Sequence, residues 1–223
     1  MRFSVIIPTH NNAKDLSTLL NSIANQSFTD YEVIIVADAC DEINRKITNV
    51  TVKDFEDQMK ITLLFVNYHN AGMSRNAGLD MADGDYILFA DDDDYFLHRW
   101  VFEEINSLVT RSGCDMALFG FIFGSLGYKA PFDNNGNAFG NVWSRCFKRS
   151  AIGDTRFPNV YPDDDLQFCL LMEAKNLKTV AFNSPIYYYN YMREGSISWN
   201  EKLTYKNGSK KDVESMEPER DES

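Results

Sequence analysis

Gly84-Asp85-Tyr86-Ile87-Leu88-Phe89-Ala90-Asp91-Asp92-Asp93-Asp94-Tyr95 sets four consecutive aspartates directly behind a short apolar run. Tyr86 to Ala90 reads as a buried strand, because aromatic and branched residues continue without a polar break and then stop at once. Four like charges at a strand end are unfavourable unless something positive occupies them. A divalent cation suits the place: hard oxygen ligands favour Mg²⁺ or Mn²⁺, which commonly join one or two carboxylates to substrate phosphates. The plainer alternative is a solvated acidic turn ahead of the helix that starts near His98.

Upstream, the same pattern repeats. Phe3 to Ile7 reads as a first strand, Tyr31 to Val36 as a second and Ile61 to Val66 as a third, with Leu16, Leu19, Leu20 and Ile23 at helical spacing between the first two. This alternation marks βαβ units and a Rossmann-like α/β fold with a mainly parallel central sheet flanked by helices. Ligands of such sheets sit beyond the carboxyl ends of the strands. Thr9 to Asn12, Asp38 and the four aspartates all fall at such ends, and are expected to converge on one crevice. Downstream, Trp100 to Val109 reads as a helix and Met116 to Phe123 as a strand. Asn134 to Gly140 reads as a loop, and Asp163 to Asp165 as the acidic start of a helix carrying Leu166, Leu170 and Leu171. Thr179 to Met192 closes the ordered part, and the polar stretch from about residue 206 to 223 is expected to be disordered.

The 223 residues carry a net charge of -11, but the acidity is local. Once the tail from Ser209, Asp91 to Asp94 and Asp163 to Asp165 are set aside, the body is close to neutral. Cys40, Cys114, Cys146 and Cys169 are widely spaced and His10, His69 and His98 lack zinc-ligand spacing, so reduced structural cysteines are expected. No segment has the form of a signal peptide or the length to span a bilayer, which implies a soluble cytoplasmic protein, with association at a membrane surface left open.

Several motifs together resemble the family 2 glycosyltransferases of GT-A fold: Val5-Ile6-Ile7-Pro8-Thr9-His10-Asn11, Ile34-Ile35-Val36-Ala37-Asp38, Asn70-Ala71-Gly72-Met73-Ser74-Arg75-Asn76-Ala77-Gly78 and the aspartate run. Trp143 to Arg149, Asp164 to Phe168 and Arg193 to Ser198 continue the resemblance to about residue 200. It implies one domain over residues 1–205, with a nucleotide-sugar-binding half to about residue 95 and an acceptor-binding half beyond it.

By resemblance, the aspartate run is the Asp-x-Asp motif. Asp93 ligates Mn²⁺ or Mg²⁺ on the donor diphosphate, and Asp91 and Asp92 help hold the metal or the ribose, the register among the four acids staying open by one position. Pro8 and Thr9 match the loop beside the nucleotide, Asp38 the acid that hydrogen-bonds the base, usually uracil, and Arg75 an arginine that contacts base or diphosphate. Asp165 matches the catalytic base, which takes a proton from the acceptor hydroxyl as it attacks the anomeric carbon with inversion. Asp164 stands where the family has glutamate, and Ala37 where it has a further acid. Trp143, Asp164 and Arg193 are candidate acceptor contacts. Trp143 with Tyr187 to Tyr189 could form a sugar platform, although core packing is the commoner use of such residues.

The implied reaction moves a sugar from a nucleotide-sugar, by default UDP-linked, to a hydroxyl on a surface or lipid-linked glycan. A protein side chain or a hydroxylated nucleic-acid base stays open as acceptor. A nucleotidyltransferase is the runner-up, against which stands the lack of a Gly-rich basic loop at Thr9 to Lys14. A two-carboxylate glycosidase and a binding module without chemistry are the remaining readings.

Overall fold

The computed structural model describes residues 2–160 and 162–191. Arg193, the domain end near residue 205 and the acidic tail lie outside the described residues. Phe3–Thr9 (β1), Tyr31–Asp38 (β2), Lys60–Val66 (β3) and Tyr86–Phe89 (β4) are the four expected strands. β1 pairs in parallel with β2 on one side and β4 on the other, and β3 extends the sheet beyond β2. Val5, Ile6, Ile7 and Val33 to Ala37 are buried, as apolar runs covered by helices on both faces must be.

Three helices join these strands: Ala13–Ala24 (α1), Glu42–Lys53 (α2) and Ala71–Met81 (α3). In α1 the four residues expected on one face are all fully buried. The sequence reading did not place α2 or α3, for physical reasons. α2 buries only Thr48 and Val52. α3 packs through small and polar residues, and a Cβ at Gly78 would run into Ile6 of β1. Both start on a side-chain cap: Asp41 accepts from the Asn44 amide at 2.8 Å and Asn70 from the Met73 amide at 2.9 Å.

The second half is mixed. Its elements are Tyr95–Phe96 (β5), Val101–Ser112 (α4), Met116–Phe123 (β6), Tyr128–Lys129 (β7), Arg145–Lys148 (β8), Arg149–Ile152 (α5), Asp164–Glu173 (α6) and Thr179–Tyr189 (β9). β8 inserts antiparallel between β4 and β6, and the sheet runs β3-β2-β1-β4-β8-β6-β9-β5, with β7 on β6. The strand order turns at β1 and β4, where an α/β sheet opens its ligand crevice.

α6 differs from expectation. Leu166, Leu170 and Leu171 are 42–48% exposed, and Phe168, Cys169 and Met172 face inward instead. The slot between α6 and the sheet is aromatic: Phe168 stacks on Phe157 at 4.0 Å and meets Phe89 and Phe147 edge-on. A ring fills that space better than a leucine. Asp163 sits at the N-cap without a side-chain bond to the helix, so capping is not its role. Cys114, Cys146 and Cys169 are buried thiols, and no helix among the described residues is long and apolar enough to cross a membrane.

Candidate active site

The carboxyl ends of the first four strands do converge. His10 Nδ1 lies 2.8 Å from the Asp38 carbonyl, and Asn12 donates to Asp92 at 2.9 Å, tying the loop after β1 to those after β2 and β4. Asn12 holds the N-cap position of α1, yet its side chain serves Asp92 rather than the helix. Asn11, Ala39 and His69, one beyond each of the first three strands, have φ of 51°, 49° and 53°. Non-glycine residues held in the left-handed region gather at functional rims, because only a structure that over-determines the loop sustains them. Pro8 is half-buried at the exit of β1, and Thr9 is buried with its hydroxyl beside Asp92.

Asp38 is placed at this rim but is engaged locally. One of its oxygens accepts from the amides of Tyr68 (2.6 Å) and His69 (3.0 Å), the other from Asn70 (2.8 Å). The carboxylate therefore shapes the loop that launches α3, with three of its four lone pairs engaged.

The four aspartates separate once folded. Asp94 is 1% exposed, accepts from the Asn190 amide at 2.8 Å, and burial together with Asp91 and Asp93 pushes its carboxyl well above the usual range. Asp92 is pushed up to about 7, mainly by burial and further by Asp93 and Asp91, against the bonds from Thr9 and Asn12. Asp91 is partly exposed and anchored twice: its amide donates to the Tyr187 hydroxyl at 2.9 Å and its Oδ1 meets Arg75 at 2.7 Å. Among the described residues no three His, Cys, Asp or Glu side chains converge on one point, so there is no all-protein cage. The donor set fits an ion that takes one or two carboxylates and completes its shell with phosphate and water. Asp94 is turned away into the core, which removes it from the candidate ligands.

Arg75 is where the structure departs furthest from the sequence reading. Its guanidinium is neither on the surface nor held open for a diphosphate: it is 4% exposed and surrounded by acids. Nη2 meets Asp91; Nη1 bonds Asp164 Oδ2 at 2.9 Å and lies 2.8 Å from Asp165 Oδ1, off the line of a hydrogen bond. Burial works against its charge, but Asp165, Asp91 and Asp164 outweigh that and raise its pKa. The same cation joins the loop after β4 to the first turn of α6, Arg75 and Asp164 standing 89 residues apart along the chain. Gly72 makes the approach possible, since a Cβ there would stand 2.9 Å from Asp164 Oδ2 and 3.1 Å from Phe157 Cβ.

Burial pushes Asp165 up to about 7 despite Arg75, with Asp91 and Asp164 adding to the rise, and the Val142 amide is 3.5 Å from its Oδ2. Asp164 is also raised by burial, against the pull of Arg75. A carboxyl balanced near neutrality beside a crevice is suited to proton transfer. Trp143 is corrected to a core residue: at 5% exposure it lies against Tyr187 and Tyr189, each about 18° from parallel, with Phe121 edge-on, and no face is open to a sugar. Tyr187 belongs to the site instead through its hydroxyl. Asn12 and Tyr187 carried no spacing signal that could have identified these bonds.

The profile of Glycosyl transferase family 2 matches residues 4–156. The chain belongs to this family. Among curated relatives, poly(ribitol-phosphate) β-N-acetylglucosaminyltransferase TarS of Staphylococcus aureus is 38% identical over 99 residues, 43% of this chain and 17% of TarS. TarP of the same organism, named for the same activity, is 34% identical over 119 residues, 52% of this chain and 36% of TarP. The family 2 chain thus spans about a third or less of the length of these relatives. Among solved structures, S. aureus TarS 1–349 in complex with UDP-GlcNAc superposes with a TM-score of 0.76 at 22% identity, over 97% of this chain and 64% of that one. A mannosyltransferase from Pyrobaculum calidifontis in complex with GDP-Man and Mn²⁺ gives 0.72 at 15% identity, over 91% and 60%. These likenesses establish the GT-A fold.

Proposed function

We propose that this chain is the catalytic domain of a metal-dependent, inverting glycosyltransferase that moves a sugar from a UDP-sugar to a hydroxyl of a surface glycan. The observation that carries the reading is Asp165, a carboxyl at about 7 tied through Arg75 to the acidic loop after β4. The named activities of TarS and TarP, and the UDP-GlcNAc bound to TarS, support the donor and a polyol-phosphate type of acceptor.

In this reading Asp165 accepts the proton of the acceptor hydroxyl as its oxygen attacks the anomeric carbon from the face opposite the leaving group. When bound, a divalent ion would be held by Asp93 and Asp91 and would supply positive charge for the nucleotide diphosphate. Thr9 and the amides after β1 approach the nucleotide, and Asp38, through the loop it shapes and its remaining lone pair, faces the base. Asp92, whose carboxyl burial raises to about 7, would be favoured in its charged form beside such an ion.

Calorimetric titration with UDP, GDP and CDP, each with Mn²⁺ and with EDTA, tests the reading. Metal-dependent binding of UDP alone is the expected result. Binding of none of them removes the reading, and binding that EDTA leaves unchanged removes its metal.

A further inference from the structure

Arg145 is the bulkiest side chain that is completely buried, and the chemistry above does not use it. Enclosing a guanidinium is costly unless its donors are answered. Here three bonds answer them. Nη1 bonds Glu173 Oε1 at 2.8 Å, in the last turn of α6, and reaches Met116 Sδ at 3.7 Å, and Nη2 donates to the Phe139 carbonyl at 2.6 Å. Nε has no partner among the described residues. A planar fork is therefore stretched between one end of α6 and a loop lying against the other end.

That loop, residues 139–142, crosses the first turn of α6. Gly140 sits so close to Leu166 that a Cβ would stand 2.6 Å from its Cδ1. Val142 is fully buried and its amide points at Asp165 Oδ2, while its carbonyl accepts from the Arg145 amide at 3.2 Å. Asn141 accepts from the Ser144 hydroxyl at 2.6 Å, and Phe139 packs edge-on against Phe121. Arg145 thus holds both ends of the segment, one through its side chain and one through its backbone. The preceding residues 133–137 form an exposed turn organised around Asp133 and closed by a bridge between Phe132 and Ala138.

We propose that Arg145 is a positioning residue which holds residues 139–142 as a strap across the first turn of α6 and thereby sets how much water reaches Asp165. The inference takes from the functional reading only the importance of Asp165; the strap itself follows from geometry. The charged groups facing Asp165 are Arg75 from α3, Asp91 from the loop after β4 and Asp164 from its own helix, and the strap contributes the Val142 amide. Burial is the largest influence on Asp165, so loosening the strap lowers its pKa toward the ordinary carboxylate range.

The test follows the Asp165 carboxyl carbon by NMR against pH in the ¹³C-labelled full chain, assigned with Asp165→Asn. It needs neither donor nor acceptor, so a protein that fails to bind UDP would sink the functional reading while leaving this titration readable. Arg145→Lys keeps the charge but cannot reach both partners, and Glu173→Ala removes one of them. Each is expected to lower the Asp165 midpoint by about one pH unit and to speed hydrogen exchange at the Val142 amide about tenfold or more. Glu173 stands at the far end of a ten-residue helix, roughly 13 Å along its axis, so its own charge is largely screened. An unchanged midpoint in both variants, or a wild-type Asp165 that already titrates as an ordinary carboxylate, would overturn the inference. Should Arg145→Lys fail to fold, Glu173→Ala decides alone.

Discussion

Arg75 Nη1 and Asp165 Oδ1 stand 2.8 Å apart under the crevice, in contact but not aligned as a hydrogen bond. The aligned bonds of that guanidinium go to Asp164 and Asp91. Asp165 therefore feels the charge of Arg75 while keeping a proton-accepting direction uncommitted, and the loop after β4 is mechanically joined to the helix that carries it.

Replacing Arg75 by Met leaves three carboxylates around an apolar side chain. Unfolding in urea is expected to show a loss of about 3–5 kcal/mol, the usual cost of breaking a buried ionic network. Because Arg75 holds Asp165 down, the acid limb of kcat/KM moves above pH 7 in that variant. Arg75→Lys keeps the charge without the fork, and should recover part of the stability but less of the rate.

Chemistry and donor binding separate at two aspartates. Asp165→Asn lowers kcat by about 10²–10⁴, the range of general base catalysis, with UDP affinity unchanged by calorimetry. Asp93→Ala weakens metal-dependent UDP binding instead. Loss of UDP binding in Asp165→Asn would contradict the base assignment, and intact metal dependence in Asp93→Ala would move the ligand role to Asp91.

Gly72→Ala tests the approach of α3 to α6. The added methyl meets Asp164 and Phe157 at 2.9–3.1 Å, and should cost about 1–3 kcal/mol as an overpacked contact. Activity falls further than stability accounts for, because the displaced turn carries Asp164 and Asp165. Urea midpoints and kcat measured on the same preparation separate the two effects.

Without ligands, stability depends on pH in a direction opposite to that of most acidic proteins. Asp92 and Asp165 titrate at about 7 in the folded chain and at about 3.9 when unfolded. Between those values the folded state holds more protons, so the unfolding free energy decreases as pH rises from about 4 to about 7. Thermal midpoints at pH 5 and pH 8 measure this. Asp165→Asn should flatten the difference, and Mn²⁺ with UDP should offset it at pH 8 by stabilising the charged acids.

The fold class was legible in the sequence because β1 to β4 are runs of apolar residues that stop abruptly, and because α1 repeats leucines at helical spacing. Those patterns report burial on both faces and on one face, and burial is what places an element in such a sheet. The convergence of Thr9, Asp38 and the aspartates followed from strand polarity alone. Tertiary structure decided the rest. α3 carries no apolar stripe, since its contact with β1 is made by Gly78, and the inward face of α6 was settled by aromatic packing around Phe157. The separation of the four aspartates came from contacts with Asn12, Asn190 and Tyr187, residues far away along the chain. The joining of Asp91 to Asp165 through Arg75 likewise depends on how α3 and α6 pack. Local sequence reports which groups are present and roughly how buried they are; which charge neutralises which is a question of distance in space, and only the packed chain answers it.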